Sequence, residues 1–453
     1  MIKQRTTTDF FKKDKPAWAV YDATRKLPNF IDGLKISQRK LMWTAFKKLQ
    51  KEWMKTETFA NITSLDTVYI HGSASLCGVC ASLVQDFIGA CNYQLLLGND
   101  GGWGNRLINR ESAPRYTKLK LADVAKKLFN PVDNEILEKQ FFEGQLIEPK
   151  NLIPVFPVVF LNSSNGLTAG FSSCIYSRNP SDIISYIKKK LAGSQNPRME
   201  LPPWFKGYKG QIRFNDETQQ YESVGNIIQK NSTFYVIDEI PVETSYQKYI
   251  EFLDKLCDDK VIVDYTDKCD PRSNELCFEI KTTREFTKKH PDFDALCKVF
   301  KLVKSLPEQY NCIDAESHVR EFSSAKDILD NFIDIRLKFY QKRKDYLLKT
   351  MVDKLTQLAS KYYFIKGVVD GQIVVSKRKK DNIVAQLEKF EKIKKVNGSY
   401  DYLLAMQIYN LTQEKMEELK KMIEDGKEEY KKTKETTIQD MWLADLKELQ
   451  KCF

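Results

Sequence analysis

The chain has 453 residues, 72 of them Lys or Arg against 61 Asp or Glu, for a formal net charge of +11. At roughly 100 to 200 residues per domain this is room for two to four domains, each with its own core. Charged residues make up 29%, apolar ones 42% and aromatics 12%, which excludes a lipid-embedded, a disordered and a low-complexity chain.

The stretch Met1 to Lys15 carries charge but no apolar segment, so it does not read as a secretory signal, and a cytoplasmic location is expected. The first 130 residues mix short helical patterns with glycine-rich turns. Cys77 and Cys80 form the only CxxC among ten cysteines. Without a second CxxC or a histidine pair nearby they are expected to pack as reduced thiols. The uncharged run from Asn151 to Ser177 is long enough to cross a bilayer, but Pro154, Pro157 and the Asn162–Asn165 turn favour strands and turns instead.

From about 150 to 320, β-rich pieces (Val155–Leu161, Phe234–Ile240, Lys260–Asp264, Leu276–Ile280) alternate with helical ones (Pro180–Leu191, Ser245–Leu256), a pattern that predicts one α+β domain. Beyond Ser323 apolar residues recur at spacings of four and three: Ile328, Phe332, Ile335 and Phe339, then Met351, Leu355, Leu358 and Tyr362. That is a long amphipathic helix with a coiled-coil-like seam, and Ser324 with Asp327 predicts its cap. Further helices are expected over Asp381–Lys395 and after Gly426, with an apolar cluster at Tyr402–Leu411. Two long helices joined by a helical knot predict either an elongated arm or an ordinary bundle. The basic runs Lys188–Lys190 and Lys377–Lys380 read as solvated surface, and the overall positive surplus alone does not identify a polyanionic partner.

Catalytic motifs of common classes are absent from the sequence. There is no G-x-S-x-G elbow beside the three histidines, and no phosphate-cradling G-x-x-x-x-G-K-S/T loop. The acidic pairs, such as Asp258-Asp259, are too isolated for a two-metal cluster. What remains is a set of cations, a histidine and a tyrosine in the first 120 residues: Arg25, Lys35, Arg39, Lys40, His71, Arg115 and Tyr116. A phenol with a pKa near 10 attacks phosphorus only with cationic neighbours to stabilise the developing charge, and Arg and Lys supply them.

The run Arg25-Lys26-Leu27-Pro28, Asp32-Gly33-Leu34-Lys35 and Arg39-Lys40 resembles the opening R-x-L-P-x-x-x-D-G-L-K-x-x-x-R-R/K of the cleavage subunit of type IIA DNA topoisomerases, the gyrase A-like family. Tyr69 to Ser73 looks like that family's His-Gly turn. Gly101 to Leu107 resembles its G-x-x-G-x-R-L loop, and Pro114-Arg115-Tyr116-Thr117 its Arg-Tyr pair. Asn162 to Gly170 resembles the loop that wedges an apolar side chain between base pairs, with Leu167 at the wedge. Tyr402 to Thr412 resembles the exit-gate dimer contact. The likeness spans roughly residues 20 to 453. It departs from bacterial members at Gln38, Ser73, Leu167 and Ala113-Pro114.

The resemblance implies an α+β multidomain fold: an N-terminal arm (1–24), a winged-helix domain with the catalytic tyrosine (25–148), an α/β tower domain (149–322), and a coiled-coil arm with a helical C-terminal dimer gate (323–453). It implies a homodimer in which each Tyr116 attacks one strand of duplex DNA, leaving a 5′-phosphotyrosyl link. Arg115, His71 and Arg25 would be helpers, Lys35, Arg39 and Lys40 positioning charges, and Leu167 the wedge. Mg²⁺ would be held mainly by a separate Toprim subunit, while ATP would be used by an ATPase partner. The chain is expected to lack both domains and the DNA-wrapping domain of gyrase. Its compact length is most similar to the cleavage subunits of T-even-like bacteriophages, for which the host cytoplasm is the expected location. The rival reading is a non-catalytic winged-helix DNA-binding scaffold in which Tyr116 only packs.

Overall fold

The computed structural model describes residues 6–195, 197–376, 378–396, 398–407 and 412–453. The chain divides into two compact units, one formed by the described residues up to Arg336 together with Leu443–Phe453, the other by Leu337–Trp442.

The first unit begins with a helical run capped by Thr6, whose Oγ1 accepts from the Asp9 N–H at 3.1 Å; it passes through a π-helical stretch, Phe10–Asp14, into helix Lys15–Lys26 and stops at Leu27, whose extended backbone is what a following proline imposes. Helices Ile36–Lys48, Thr56–Asp66 and Ser73–Val84 pack together beside an antiparallel sheet ordered Met54–Lys55, Lys118–Leu121, Leu96–Asn99. Cys77 and Cys80 are buried on the inner side of Ser73–Val84 with free thiols.

Two antiparallel sheets follow. One is ordered Asn226–Asn231, Phe234–Glu239, Phe278–Lys281, Asp264–Asp267, and the other Val303–Leu306, Gln220–Val224, Gln211–Asn215. Helix Tyr246–Asp258 covers the first, burying Tyr249 and Leu253 against Tyr235, Ile237 and Phe278. Helix Pro180–Leu191 forms over the predicted residues, its first turn capped by the Asn179 side chain, which accepts from the Ser181 N–H at 2.9 Å.

Val155–Leu161 departs from expectation. The run is buried but contains only a short 3-10 turn, Val158–Phe160, and no strand. Pro154 and Pro157 remove ladder donors, so an apolar run there fills the core without pairing.

Helix Ala325–Val369 is continuous. Its cap is as predicted: Ser324 Oγ accepts from the Asp327 N–H at 3.2 Å while Asp327 Oδ2 accepts from the Ser323 N–H at 3.0 Å. In the second unit it runs antiparallel to helix Gln413–Glu435. Lys344 Nζ donates to the carbonyls of Lys434 and Thr436 at 2.8 and 2.7 Å, and Gly426 faces Leu355. Gly426 therefore lies inside a helix and does not break it: a Cβ there would stand 2.8 Å from Leu355 Cδ2, so its bare Cα allows the close approach. The helix expected over Asp381–Lys395 is shorter, Lys380–Leu387. Phe364, Ile373, Ile383, Leu387, Ile393, Tyr400 and Leu403 form a compact core near the end of the helix pair. The expected gate contact at Tyr402–Thr412 lies partly outside the described residues.

Candidate active site

Tyr116 stands at the end of a loop that its own hydrogen bonds hold in place. Asp100 and Gly101 both take positive φ, 53° and 61°, which turns the chain out of its strand. Ser112 closes the loop, its Oγ accepting from the Gly102 N–H at 2.9 Å and its own N–H donating to the Gly102 carbonyl at 2.7 Å. Further along, Asn105 Oδ1 accepts from the N–H groups of Leu107 and Ile108 at 2.9 and 2.7 Å. Arg106 pairs with the buried carboxylate of Glu239, and Leu107 packs on the core of the four-stranded sheet. The arginine of the G-x-x-G-x-R-L loop thus fastens the loop to its neighbouring sheet.

After the turn, Thr117 is buried. Its carbonyl accepts from the Thr56 N–H at 3.0 Å and the two threonine hydroxyls meet at 2.8 Å. The residue before this anchor points the other way: Tyr116 is 61% exposed, and no described residue hydrogen-bonds its hydroxyl. Arg115 lies with Cζ 4.8 Å from the centre of the tyrosine ring, a cation–π spacing that keeps a permanent positive charge beside the phenol.

Arg25 and His71 form a second group. With Tyr21, Tyr69, Ile70 and Phe142 they line a largely apolar cavity of about 250 Å³. His71 Nε2 is 2.8 Å from the Tyr21 hydroxyl, and the Tyr69 ring meets the imidazole edge-on at 5.3 Å between centres. Loss of hydration, then the charge of Arg25, hold the His71 pKa below its usual range, which favours the neutral imidazole near pH 7. Among the described residues no hydrogen bond or ring contact joins this group to Tyr116.

The four expected DNA contacts separate into two kinds. Lys35 is half-buried, its ammonium donating to the Asn165 carbonyl at 2.6 Å, and burial lowers its pKa. Leu167 is 76% exposed on the hairpin Ser164–Leu167/Ser172–Ile175.

Arg39 and Lys40 require a correction. Arg39 is 6% exposed and grips Asp32 through Nε and Nη2 at 2.5 and 3.1 Å. Lys40, 8% exposed, bonds Glu148 at 2.8 Å and the Thr67 carbonyl at 2.7 Å. Both charges are spent on buried carboxylates, one of them 108 residues away in sequence, and neither faces solvent as a phosphate contact would.

Sequence reasoning missed three side chains at these sites: Tyr21 on His71, Asp22 beneath the hairpin tip, and Phe171, 47% exposed across the hairpin end from Leu167. Each lies within a recognised motif or beside one; the partners of Tyr21 and Asp22 come from distant segments. Among the described residues no three His, Cys, Asp or Glu side chains converge as a metal-holding group. No helix among them is long and apolar enough to cross a membrane.

Residues 25–447 match the family of the A subunits of DNA gyrase/topoisomerase IV. DNA topoisomerase 2 of Plasmodium falciparum is 32% identical over 98% of this chain and 34% of its own length. DNA topoisomerase 2 of Acanthamoeba polyphaga mimivirus is 29% identical over 98% of this chain and 40% of its own. This chain therefore spans between a third and two fifths of those two relatives. The crystal structure of the Plasmodium falciparum topoisomerase II DNA-binding, cleavage and re-ligation domain superposes with a TM-score of 0.88 at 31% identity, covering 98% of this chain and 64% of that one. With its motifs in family order, its α+β multidomain fold and a match over nearly its whole length, the chain belongs to the type IIA topoisomerase cleavage family, the gyrase A-like subunits.

Proposed function

We propose that this chain is the DNA-cleavage and religation subunit of an ATP-dependent type II DNA topoisomerase, with Tyr116 as nucleophile. The observation that carries the reading is the exposed phenol, set on a hydrogen-bonded loop one residue from a buried anchor with Arg115 against its ring. A scaffold protein has no use for a rigidly mounted, solvent-facing tyrosine with a guanidinium beside it.

In this reading Tyr116 Oη attacks a backbone phosphorus, the phenol gives up its proton, and the P–O3′ bond breaks. The 3′-hydroxyl leaves and a 5′-phosphotyrosyl ester forms; religation reverses the exchange. The ester conserves the bond, so resealing consumes no cofactor. Arg115 stabilises the negative charge that builds on phosphorus. His71 and Arg25 act as hydrogen-bonding or electrostatic helpers at the phosphate backbone. Leu167 wedges between base pairs, where a few kcal/mol of unstacking are exchanged for a bend, and Lys35 holds the wedge loop at its base. Two copies joined at the C-terminal gate cut the two strands, and passage of a second duplex relaxes or decatenates DNA. ATPase and Toprim functions reside on one or more separate subunits, as the likeness to the medium subunit of T-even-like bacteriophage topoisomerases implies. Mg²⁺ would be held mainly by the Toprim subunit.

The test is plasmid cleavage with the chain reconstituted with an ATPase/Toprim partner, trapped with denaturant and digested with protease. Protein should remain on the 5′ ends; Tyr116→Phe should leave none, and Arg115→Ala should lose cleavage while DNA binding persists. Covalent product from Tyr116→Phe would overturn the assignment.

A further inference from the structure

We propose that Asp22 is a positioning residue for the DNA wedge, holding the tip of the Leu167 hairpin at the pitch from which Leu167 meets a base step; the inference rests on the wedge reading above. Helix Lys15–Lys26 presents two adjacent rows of side chains spaced by four. Tyr21 and Arg25 line the cavity at His71. Asp22 and Lys26 turn to the hairpin.

Asp22 is 7% exposed. One of its carboxylate oxygens, Oδ2, accepts from the Ala169 N–H at 3.1 Å, and the other takes the Lys26 ammonium at 2.8 Å. Ala169 lies inside the reversal Thr168–Phe171. That turn is closed by the Thr168 N–H and Oγ1 on the Phe171 carbonyl, both at 2.9 Å, and by the Phe171 N–H on Thr168 Oγ1 at 3.2 Å. The tip is therefore one rigid piece, and Asp22 is the side chain that ties it to the helix.

The strand leading to the tip touches the same helix. Gly166 lies so near its end that a Cβ would stand 2.6 Å from the Lys26 carbonyl oxygen. The hairpin thus rests on the helix backbone at Gly166 and is pulled down by Asp22 at Ala169, with Leu167 held between the two points. The base of the hairpin is also held by Lys35 on the Asn165 carbonyl, by Asn311 on the Ser172 carbonyl and by the paired backbones of Cys174 and Gln309; with Asp22 removed, the base stays in place and only the tip Thr168–Phe171 loses its tie to the helix. Opening an intact stack needs the tied tip.

The experiment measures bending of a short duplex, labelled with a fluorescence donor and acceptor at its two ends, by the full chain at saturating protein. The wild type bends the duplex and Leu167→Ala does not. Asp22→Ala should lower the ratio of bent to unbent duplex by roughly tenfold, the weight of one charge-assisted hydrogen bond, with affinity for DNA retained. Asp22→Asn, which keeps an oxygen for the Ala169 N–H, should restore bending. Lys26→Met, which removes the ion pair and leaves the Ala169 bond, should bend as the wild type does. A merely structural role would instead make bending follow melting temperature across the three variants.

Wild-type bending by Asp22→Ala overturns the proposal while leaving the wedge intact, since Leu167→Ala still fails to bend. No bending by the wild type, or full bending by Leu167→Ala, removes the wedge reading and the proposal with it.

Discussion

Replacing Arg39 by alanine separates a structural cation from a DNA contact. Asp32, fully buried, is held by Arg39 at 2.5 and 3.1 Å and by the N–H groups of Leu34 and Leu152, each at 3.0 Å. In Arg39→Ala each carboxylate oxygen keeps one backbone donor but the charge loses its counter-ion in the core. Breaking a buried pair from one side costs about 3–5 kcal/mol, and the two retained bonds place this case near the lower figure. With a urea m-value of about 3 kcal/mol/M, the unfolding midpoint falls by about 1 M. Tryptophan fluorescence reads this locally, because Trp43 lies on the same helix as Arg39. The salt dependence of DNA binding, measured on the folded variant, should keep its slope. A midpoint unchanged to within about 0.2 M, with the log–log salt slope reduced by about one as for a lost phosphate contact, would refute the reasoning and return Arg39 to the duplex.

Lys40→Met strands Glu148 in the same way, so destabilisation of about 3–5 kcal/mol is expected in a urea titration. Gly33→Ala should cost more than a simple overpacking of about 1–3 kcal/mol, because φ is +66° and a Cβ would lie 2.3 Å from the Val159 nitrogen; thermal melting checks this. His71 should titrate below 6.5 in an NMR experiment, and Arg25→Ala should raise its pKa by removing a nearby positive charge. Because the folded state disfavours the imidazolium, His71 lends stability that is complete above pH 6.5 and lost as pH falls through its depressed value.

Local signals were legible where the chain satisfies itself locally. Helix Pro180–Leu191 follows from Asn179, Pro180 and an apolar stripe, and the Ser324/Asp327 cap from two residues three apart. The Arg115-Tyr116 pair was legible from motif order, and the structure adds its exposure and its anchor at Thr117. What the sequence hid are relations between distant segments. Arg39 and Lys40 looked like free cations because Asp32 sits outside their helix and Glu148 lies 108 residues on. Gly426 looked like the boundary before a helix because its reason, Leu355, belongs to another helix. Val155–Leu161 looked like a strand because β-branched apolar runs fit a sheet and a buried turn equally well. The carboxylate of Asp22 carried no signal, since only the fold brings Ala169 to it.

The most direct measurement is mass spectrometry of peptides from the chain after cleavage of DNA with its ATPase/Toprim partner, nuclease digestion and trypsinolysis. The account predicts a nucleotide adduct on the peptide holding Tyr116, ester-linked through the phenolic oxygen and absent from Tyr116→Phe. An adduct on any other residue, or DNA cut with Tyr116 unmodified at every time point, would contradict it.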